Sequence, residues 1–100
     1  MNELNDEMLP DFEFSINPEA PLFVISVVSE MVQIPIWTLR KLDEYGIIKA
    51  ERKGKKTRCY SKIQIKKLYH IHYLMNVKKV NISGIKHIFE IEYRKEGENG

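Results

Sequence analysis

Pro35 lies in the middle of an apolar stretch and restricts this part of the chain to short helices. Before it, residues 27–32 have helical spacing, and Ser26 stands where it can cap the first turn. After it, residues 36–45 repeat that spacing, and Gly46 is typical of the left-handed residue that follows a helix. Because proline fits a turn or the first turn of a helix, the pattern predicts two short helices joined by a tight turn, a helix-turn-helix.

A β-hairpin with a basic tip is predicted directly after these helices. Residues 47–52 and 57–60 are short strand-like runs on either side of Gly54. The hairpin holds one acid, Glu51, and six basic residues, namely Lys49, Arg52, Lys53, Lys55, Lys56 and Arg58. Such a hairpin can neutralise phosphates, which gives salt-dependent affinity for a nucleic acid. The alternative is a solvated loop kept basic for solubility.

Two further helices are predicted after the hairpin. Ser61 and Gln64 have the spacing of a capping box, so one helix should begin at Lys62 and continue to about Met75. The last helix should end near Arg94, with residues 95–100 frayed. Its cap is predicted to be Asn81 or Ser83, and its apolar face Ile85, Ile88 and Phe89.

The charge is unevenly distributed along the chain, although the net charge is only +2. Residues 1–20 hold six acids and no Lys or Arg, whereas residues 21–92 hold fourteen basic and six acidic residues, a net charge of +8. A basic body with an acidic tail favours a polyanionic partner. Residues 1–21, which also hold three prolines, are expected to form a mostly disordered tail, and residues 22–94 one domain. Spaced apolar residues in the tail leave open a segment that folds on a partner.

The second helix carries the candidate base-reading residues. Trp37, Thr38, Arg40 and Lys41 lie on faces other than the predicted core stripe. In a recognition helix, Arg can pair with guanine and Thr can contact a thymine methyl group. Arg40 could equally hold a phosphate, and Trp37 could be either a groove contact or a core residue.

Other functional classes have little support in the sequence. His70 and His72 are two residues apart, so on a helix they point in different directions and cannot jointly hold a metal. Paired catalytic carboxylates, a phosphate-binding glycine loop and a nucleophile elbow are all missing, so we predict no enzymatic activity and no cofactor. The sequence also lacks a signal peptide and a membrane-spanning run, which predicts a cytoplasmic protein. A thiol switch at Cys59 stays open.

The order helix-turn-helix, basic hairpin, helix, helix over residues 23–92 resembles the DNA-binding domain of the MerR family of transcription regulators. The fold that this implies is mainly α with a small β-hairpin wing, a winged helix-turn-helix. The matching segments are residues 23–26, 38–40, 43–48, 58–61 and 80–86. Two of them, residues 24–27 (Val-Ile-Ser-Val) and 80–86 (Val-Asn-Ile-Ser-Gly-Ile-Lys), resemble the HspR heat-shock repressor branch of that family.

The resemblance implies a repressor of chaperone genes that binds an inverted-repeat operator in double-stranded DNA as a homodimer, with an Hsp70-type chaperone (DnaK) as co-repressor. Carried over by position, Thr38 and Arg40 fall on the recognition helix. Arg58 and Tyr60 fall on the strand of the wing that contacts phosphates, with Lys55 and Lys56 at its tip.

Three features depart from the family pattern. Leu42 stands where relatives usually place a Tyr whose hydroxyl contacts phosphate. Ile34-Pro35 replaces the small polar cap before the recognition helix, and the chain ends before the long helix through which many relatives dimerise, so a dimer would use Ile91, Tyr93 and other short surfaces. An alternative function is that of a phage excisionase or packaging protein, which shares this plan but shapes DNA within a larger assembly; the neighbouring genes would distinguish the two.

Overall fold

Four helices surround a small sheet in the part of the chain that the structure describes. A computed structural model gives the fold of residues 17–54 and 56–99, with side chains as far as residue 92. In chain order the elements are β1 (Phe23–Val24), α1 (Ile25–Val32), α2 (Ile36–Glu44), β2 (Glu51–Lys53), β3 (Thr57–Tyr60), α3 (Lys62–Asn76) and α4 (Ile82–Asn99). This arrangement confirms the predicted winged helix-turn-helix, mainly α with a hairpin wing.

Helix α1 begins earlier than the sequence predicted, at Ile25 rather than after Ser26. The preceding residue, Val24, is the N-cap and contributes no side-chain hydrogen bond, so the prediction of a Ser26 cap was wrong. The reason is that β1 pairs with β3 and leads directly into the helix. This pairing fixes the direction in which the chain enters α1, so the helix begins without a polar cap.

The turn between α1 and α2 is held by hydrogen bonds from both of its ends. Gln33 is left-handed, with φ 59°, and its N–H donates to the carbonyl of Ser29. The Ser29 hydroxyl donates to the carbonyl of Ile34 over 2.6 Å. Pro35 then stands as the N-cap of α2, and its carbonyl accepts the N–H of Leu39 over 3.1 Å. A proline N-cap fits here because this position precedes the first intrahelical donor.

Helix α2 ends in the motif that Gly46 predicted. Gly46 has φ +77°, and its N–H donates to the carbonyl of Asp43, while the N–H of Ile47 donates to that of Leu42, each over 2.9 Å. These two bonds form a Schellman motif, which satisfies carbonyls that the helix end would otherwise leave unpaired. The chain reverses there and buries Ile48 in the core.

The wing is an antiparallel hairpin in which Arg52 pairs with Arg58 and Lys53 with Thr57. Strand β2 starts at Glu51, four residues later than the sequence predicted. The difference arises because Ile48 is buried against the helices and its neighbours complete the reversal after α2 before the strand can begin. Strand β3 is central in the sheet, with β1 and β2 on its two sides.

The predicted caps of the last two helices are confirmed. The Ser61 hydroxyl accepts the N–H of Gln64 over 3.1 Å, and the Gln64 side chain accepts the N–H of Ser61 over 3.0 Å. The Asn81 side chain accepts the N–H of Gly84 over 2.8 Å at the start of α4. Helix α4 continues to Asn99, beyond the predicted end near Arg94, because residues 94–96 are good helix formers and no proline interrupts them.

Side chains from all four helices form one core under the sheet. Its fully buried members include Val28, Leu39, Leu42, Tyr60, Leu68, Ile71 and Ile85. Among the described residues, no helix combines the length and the apolar character needed to cross a membrane.

The predicted acidic tail lies outside the described residues over positions 1–16. Residues 17–20 form a turn in which the N–H of Ala20 donates to the carbonyl of Asn17 over 3.0 Å. The Pro18 carbonyl then accepts the N–H of Ile63 over 3.2 Å, which places this stretch beside the first turn of α3.

Candidate nucleic-acid interface

An ion pair joins helix α2 to the wing. The Arg58 Nε donates to the Asp43 Oδ2 over 2.7 Å, and the two side chains are only 14% and 13% exposed. Partial burial strengthens such a pair relative to one in open solvent. Because Asp43 is on α2 and Arg58 on β3, the pair fixes the wing against the helix that precedes it.

This role of Arg58 differs from the phosphate contact that the resemblance implied. One of its five N–H donors is committed to Asp43, which also neutralises its charge locally. Arg58 therefore acts first as the link between the two parts of the interface. Asp43 was not among the predicted site residues. A carboxylate at core-facing helical spacing was the available signal, because a partly buried acid requires a partner.

The Tyr60 side chain lies beneath a group of charged residues. It is fully buried, and its hydroxyl has no hydrogen-bond partner among the residues that the structure describes. The pKa of Tyr60 is raised to about 12: burial is the main cause and the Asp43 carboxylate adds to it, while the positive charges of Arg58, Arg40 and Arg52 partly oppose the rise. The charged groups that act on Tyr60 come from α2, β2 and β3, so these three elements lie close together around its side chain. The predicted phosphate contact by Tyr60 is corrected, because its side chain is part of the core.

Thr38 and Leu42 also lie in the core. Thr38 is only 3% exposed, so the predicted base contact by this side chain is corrected. Leu42 is fully buried, so this side chain is part of the core. Both side chains are buried because the buried face of α2 is formed by Thr38, Leu39 and Leu42.

The predicted site residues that remain exposed lie on α2 and on the wing, which the Asp43–Arg58 ion pair joins. Trp37 is 64% exposed and lies on the outer side of α2 with Arg40 and Lys41, away from the buried face. The wing adds Arg52, Lys53 and Lys56, all exposed. We define the basic face as Trp37, Arg40, Lys41, Arg52, Lys53 and Lys56. Lys55, also predicted as a site residue, lies outside the described residues.

Among the described residues, few acids lie near this face. Glu44 is exposed in the last turn of α2, and Glu51 is exposed at the start of β2. With five cations, the basic face keeps a clear excess of positive charge, which attracts phosphates. The exposed indole of Trp37 is an apolar group among these cations. This arrangement favours contact with a DNA groove or a stacked base over a surface that only meets solvent.

The side chains considered for metal binding or a thiol switch, His70, His72 and Cys59, make contacts within the fold or are buried in it. The His72 Nδ1 lies 3.2 Å from the carbonyl oxygen of Gln33, and the His70 ring stacks on Phe89 with centroids 6.0 Å apart. Cys59 is 4% exposed within β3. No cluster of three potential metal ligands occurs in the part of the chain that the structure describes.

Replacing Tyr60 by Phe is expected to leave DNA affinity unchanged. The free energy of unfolding should stay the same or rise by up to about 1 kcal/mol, because the change removes an unpartnered buried hydroxyl. The wild-type protein should lose stability as the pH rises from 10 towards about 12, since the unfolded chain ionises Tyr60 first, and the variant should lack this loss. Urea unfolding at neutral and alkaline pH, with a DNA titration, measures both effects. A folded variant with weaker DNA binding would place the hydroxyl on a phosphate.

Comparison with known proteins adds two findings. A family model described as the MerR HTH family regulatory protein matches residues 23–91. A protein of Streptomyces coelicolor, named for the heat shock protein HspR, is 30% identical to this chain over 79 residues, which cover 79% of this chain and 52% of that protein. The chain thus spans about half the length of this relative.

Proposed function

Because the chain belongs to the MerR family of helix-turn-helix regulatory proteins, we propose that it is a sequence-specific regulator of transcription that binds double-stranded DNA in the cytoplasm. Helix α2 enters the major groove, and the wing lies along the phosphate backbone. The observation that carries this proposal is the Asp43–Arg58 ion pair, which holds α2 and the wing together so that one basic face can contact both parts of the duplex.

On this face the residues have different roles. Arg40 and Trp37 lie in the first half of α2, from which a recognition helix contacts base edges. Lys41, on the same outer side, and Arg52, Lys53 and Lys56 on the wing contact phosphates, which positions the protein but reads no sequence. Lys55 joins this second group by its place in the sequence.

The regulatory role is that of a repressor of heat-shock and chaperone genes, acting as a homodimer on an inverted repeat with an Hsp70-type chaperone (DnaK) as co-repressor. Support comes from the relative named for the heat shock protein HspR. The half-exposed Ile91 on α4 is a candidate contact between two copies. An inverted-repeat site matches a protein with two-fold symmetry.

Genome-wide mapping of bound sites tests the proposal directly. We expect a shared inverted-repeat sequence upstream of chaperone genes, and higher expression of those genes when the protein is deleted. Bound sites that cluster beside integrase or terminase genes, without effects on transcription, would instead support an architectural DNA-binding protein of the excisionase or packaging type.

Replacing Arg40 by Ala is expected to weaken binding to the cognate site by about 1–3 kcal/mol while changing the affinity for random DNA much less, because a bidentate contact to a base is lost. The matched control is Arg40→Lys, which keeps the charge but loses the bidentate geometry. Titration of both variants with cognate and random duplexes measures the difference. If Arg40→Lys binds the cognate site as well as the wild type does, Arg40 holds a phosphate and reads no base.

A further inference from the structure

We propose that an exposed apolar patch between α1 and α3 binds an acidic amphipathic helix of a partner protein. The patch consists of Val27 and Met31 on α1 and of Tyr69 and Tyr73 on α3, and we name it the α1–α3 patch. Its four side chains are between 41% and 50% exposed. Scattered apolar side chains are ordinary on a protein surface, whereas exposed apolar side chains that adjoin one another mark a site of interaction.

Val27 and Met31 lie on the flank of α1 that is turned towards α3. The core side of this helix is marked by Val28 and Val32, which are both buried. The Ser29 hydroxyl, on one flank of that core side, donates to the turn that leads to α2. Successive residues are about 100° apart around a helix, so Val27 and Met31 lie on the opposite flank. Because α1 packs against both α2 and α3, this second flank is the one beside α3.

Tyr69 and Tyr73 lie on the side of α3 that is turned towards α1. The His72 Nδ1 lies 3.2 Å from the carbonyl oxygen of Gln33, just after the end of α1. Tyr69 comes three residues before His72 and four before Tyr73, so the three side chains follow one side of the helix. The neighbouring His70 ring instead stacks on α4. The two tyrosines therefore lie on a different side of α3 from α4 and adjoin the exposed flank of α1.

The α3 side of the patch is rich in lysine. Residues 61–89 hold six lysines and no Asp or Glu. Lys66 precedes Tyr69 by three residues and Lys62 precedes it by seven, so both lysines lie on the same side of α3 as the tyrosines. Glu30 is the one acid of α1 and lies at the border of the patch away from α3. The apolar patch thus has a cationic border along α3.

These charges favour an acidic helix over two other occupants. A second copy of this chain, docked through the same patch, would bring two sets of lysines together, and like charges repel. Double-stranded DNA would meet the lysines through its phosphates, but it offers little apolar surface to cover four exposed apolar side chains. An amphipathic helix places apolar residues, three or four positions apart, on the patch. Its carboxylates pair with Lys62 and Lys66 at the border.

A synthetic peptide tests this preference. The probe is a helix of about 15 residues with leucine at every third or fourth position and glutamate elsewhere, and its matched control has lysine in place of glutamate. In NMR spectra of the full chain without DNA, we expect the acidic peptide to shift the signals of Met31 and Tyr73, while Thr57 on the wing keeps its signals. The lysine peptide should bind at least about tenfold more weakly. Equal binding of the two peptides, or no shift at about millimolar acidic peptide, would overturn the proposal.

Substitutions on the patch test the assigned residues. Tyr69→Ala with Tyr73→Ala should weaken binding of the acidic peptide at least about tenfold, because aromatic side chains at the centre of an interface carry much of its affinity. Lys62→Glu with Lys66→Glu should reverse the preference between the two peptides. The matched control is Tyr45→Ala, which removes an exposed tyrosine at the end of α2 and should bind the peptide as the wild type does. Wild-type binding by the tyrosine double variant, or equal weakening in the control, contradicts the assignment.

Two further measurements identify the other occupants. If the patch signals shift with protein concentration alone, a second copy occupies the patch. If a random DNA duplex displaces the peptide, the patch belongs to the DNA interface. Either result overturns an acidic helix as the partner. Because peptide binding is measured without DNA, its failure is separate from any failure of the proposed function.

Discussion

Replacing Lys53 and Lys56 together by Ala is expected to lower the affinity for double-stranded DNA about 30-fold at about 0.15 M salt. Both residues are exposed on the wing, on either side of the turn at Gly54. If each neutralises one phosphate, the slope of log affinity against log salt falls by about 1.8, and extrapolation of that slope from about 1 M salt gives the 30-fold loss. Cognate and random duplexes should weaken alike, because phosphates carry no sequence information.

Titrations at several salt concentrations measure both the affinity and the slope. The matched control is Lys66→Ala, which also removes an exposed positive charge but from the outer side of α3. It should leave the slope unchanged. A slope that stays at the wild-type value in the double variant would remove the wing from the interface and leave α2 as its only contact.

The elements that sequence predicted well are those set by local interactions. The capping box of Ser61 and Gln64 fixed the start of α3, and Gly46 fixed the end of α2, because each acts on backbone groups only a few residues away. The absent cap at Ser26 shows the limit of this reasoning. There, the pairing of β1 with β3 determined where α1 begins, and that pairing joins residues far apart in the sequence.

The rotation of α2 about its axis was harder to predict, and it decides which side chains can contact DNA. A stripe through Ile36 and Leu39 left Thr38 on an outer face, whereas the structure centres the buried face between Thr38 and Leu42 and leaves Ile36 half-buried at its edge. The predicted and observed buried faces of α2 differ by a rotation of less than one turn about the helix axis. This rotation depends on how α1 packs against α2, which no spacing within the helix specifies.

The same long-range packing explains the corrections on the wing. The sequence placed Arg58 and Tyr60 on one basic strand. Because they are two residues apart, they share one face of β3, and that face is turned towards the helices rather than towards solvent. Arg58 reaches Asp43, and Tyr60 enters the core. Exposed cations such as Lys53 and Lys56 were easier to predict, since a charged side chain without a partner stays in solvent.

Replacing Leu42 by Ala is expected to lower the free energy of unfolding by about 2–5 kcal/mol, because it leaves a cavity at a fully buried position. Domains of this size are typically stable by only about 5–15 kcal/mol, so the loss is a large fraction of the total. Urea unfolding followed by circular dichroism measures it. The matched control is Lys41→Ala, the exposed neighbour in the same helix, which should change stability by less than about 0.5 kcal/mol.

The comparison also separates the two roles of α2. Leu42→Ala should reduce DNA binding only under conditions where the variant is partly unfolded, since the side chain is fully buried and cannot touch DNA. Lys41→Ala should do the reverse, weakening DNA binding through a lost phosphate contact while the fold keeps its stability. A Leu42→Ala variant as stable as the wild type would place this residue outside the core. The rotation of α2, and with it the assignment of Arg40 and Trp37 to the outer face, would then be wrong.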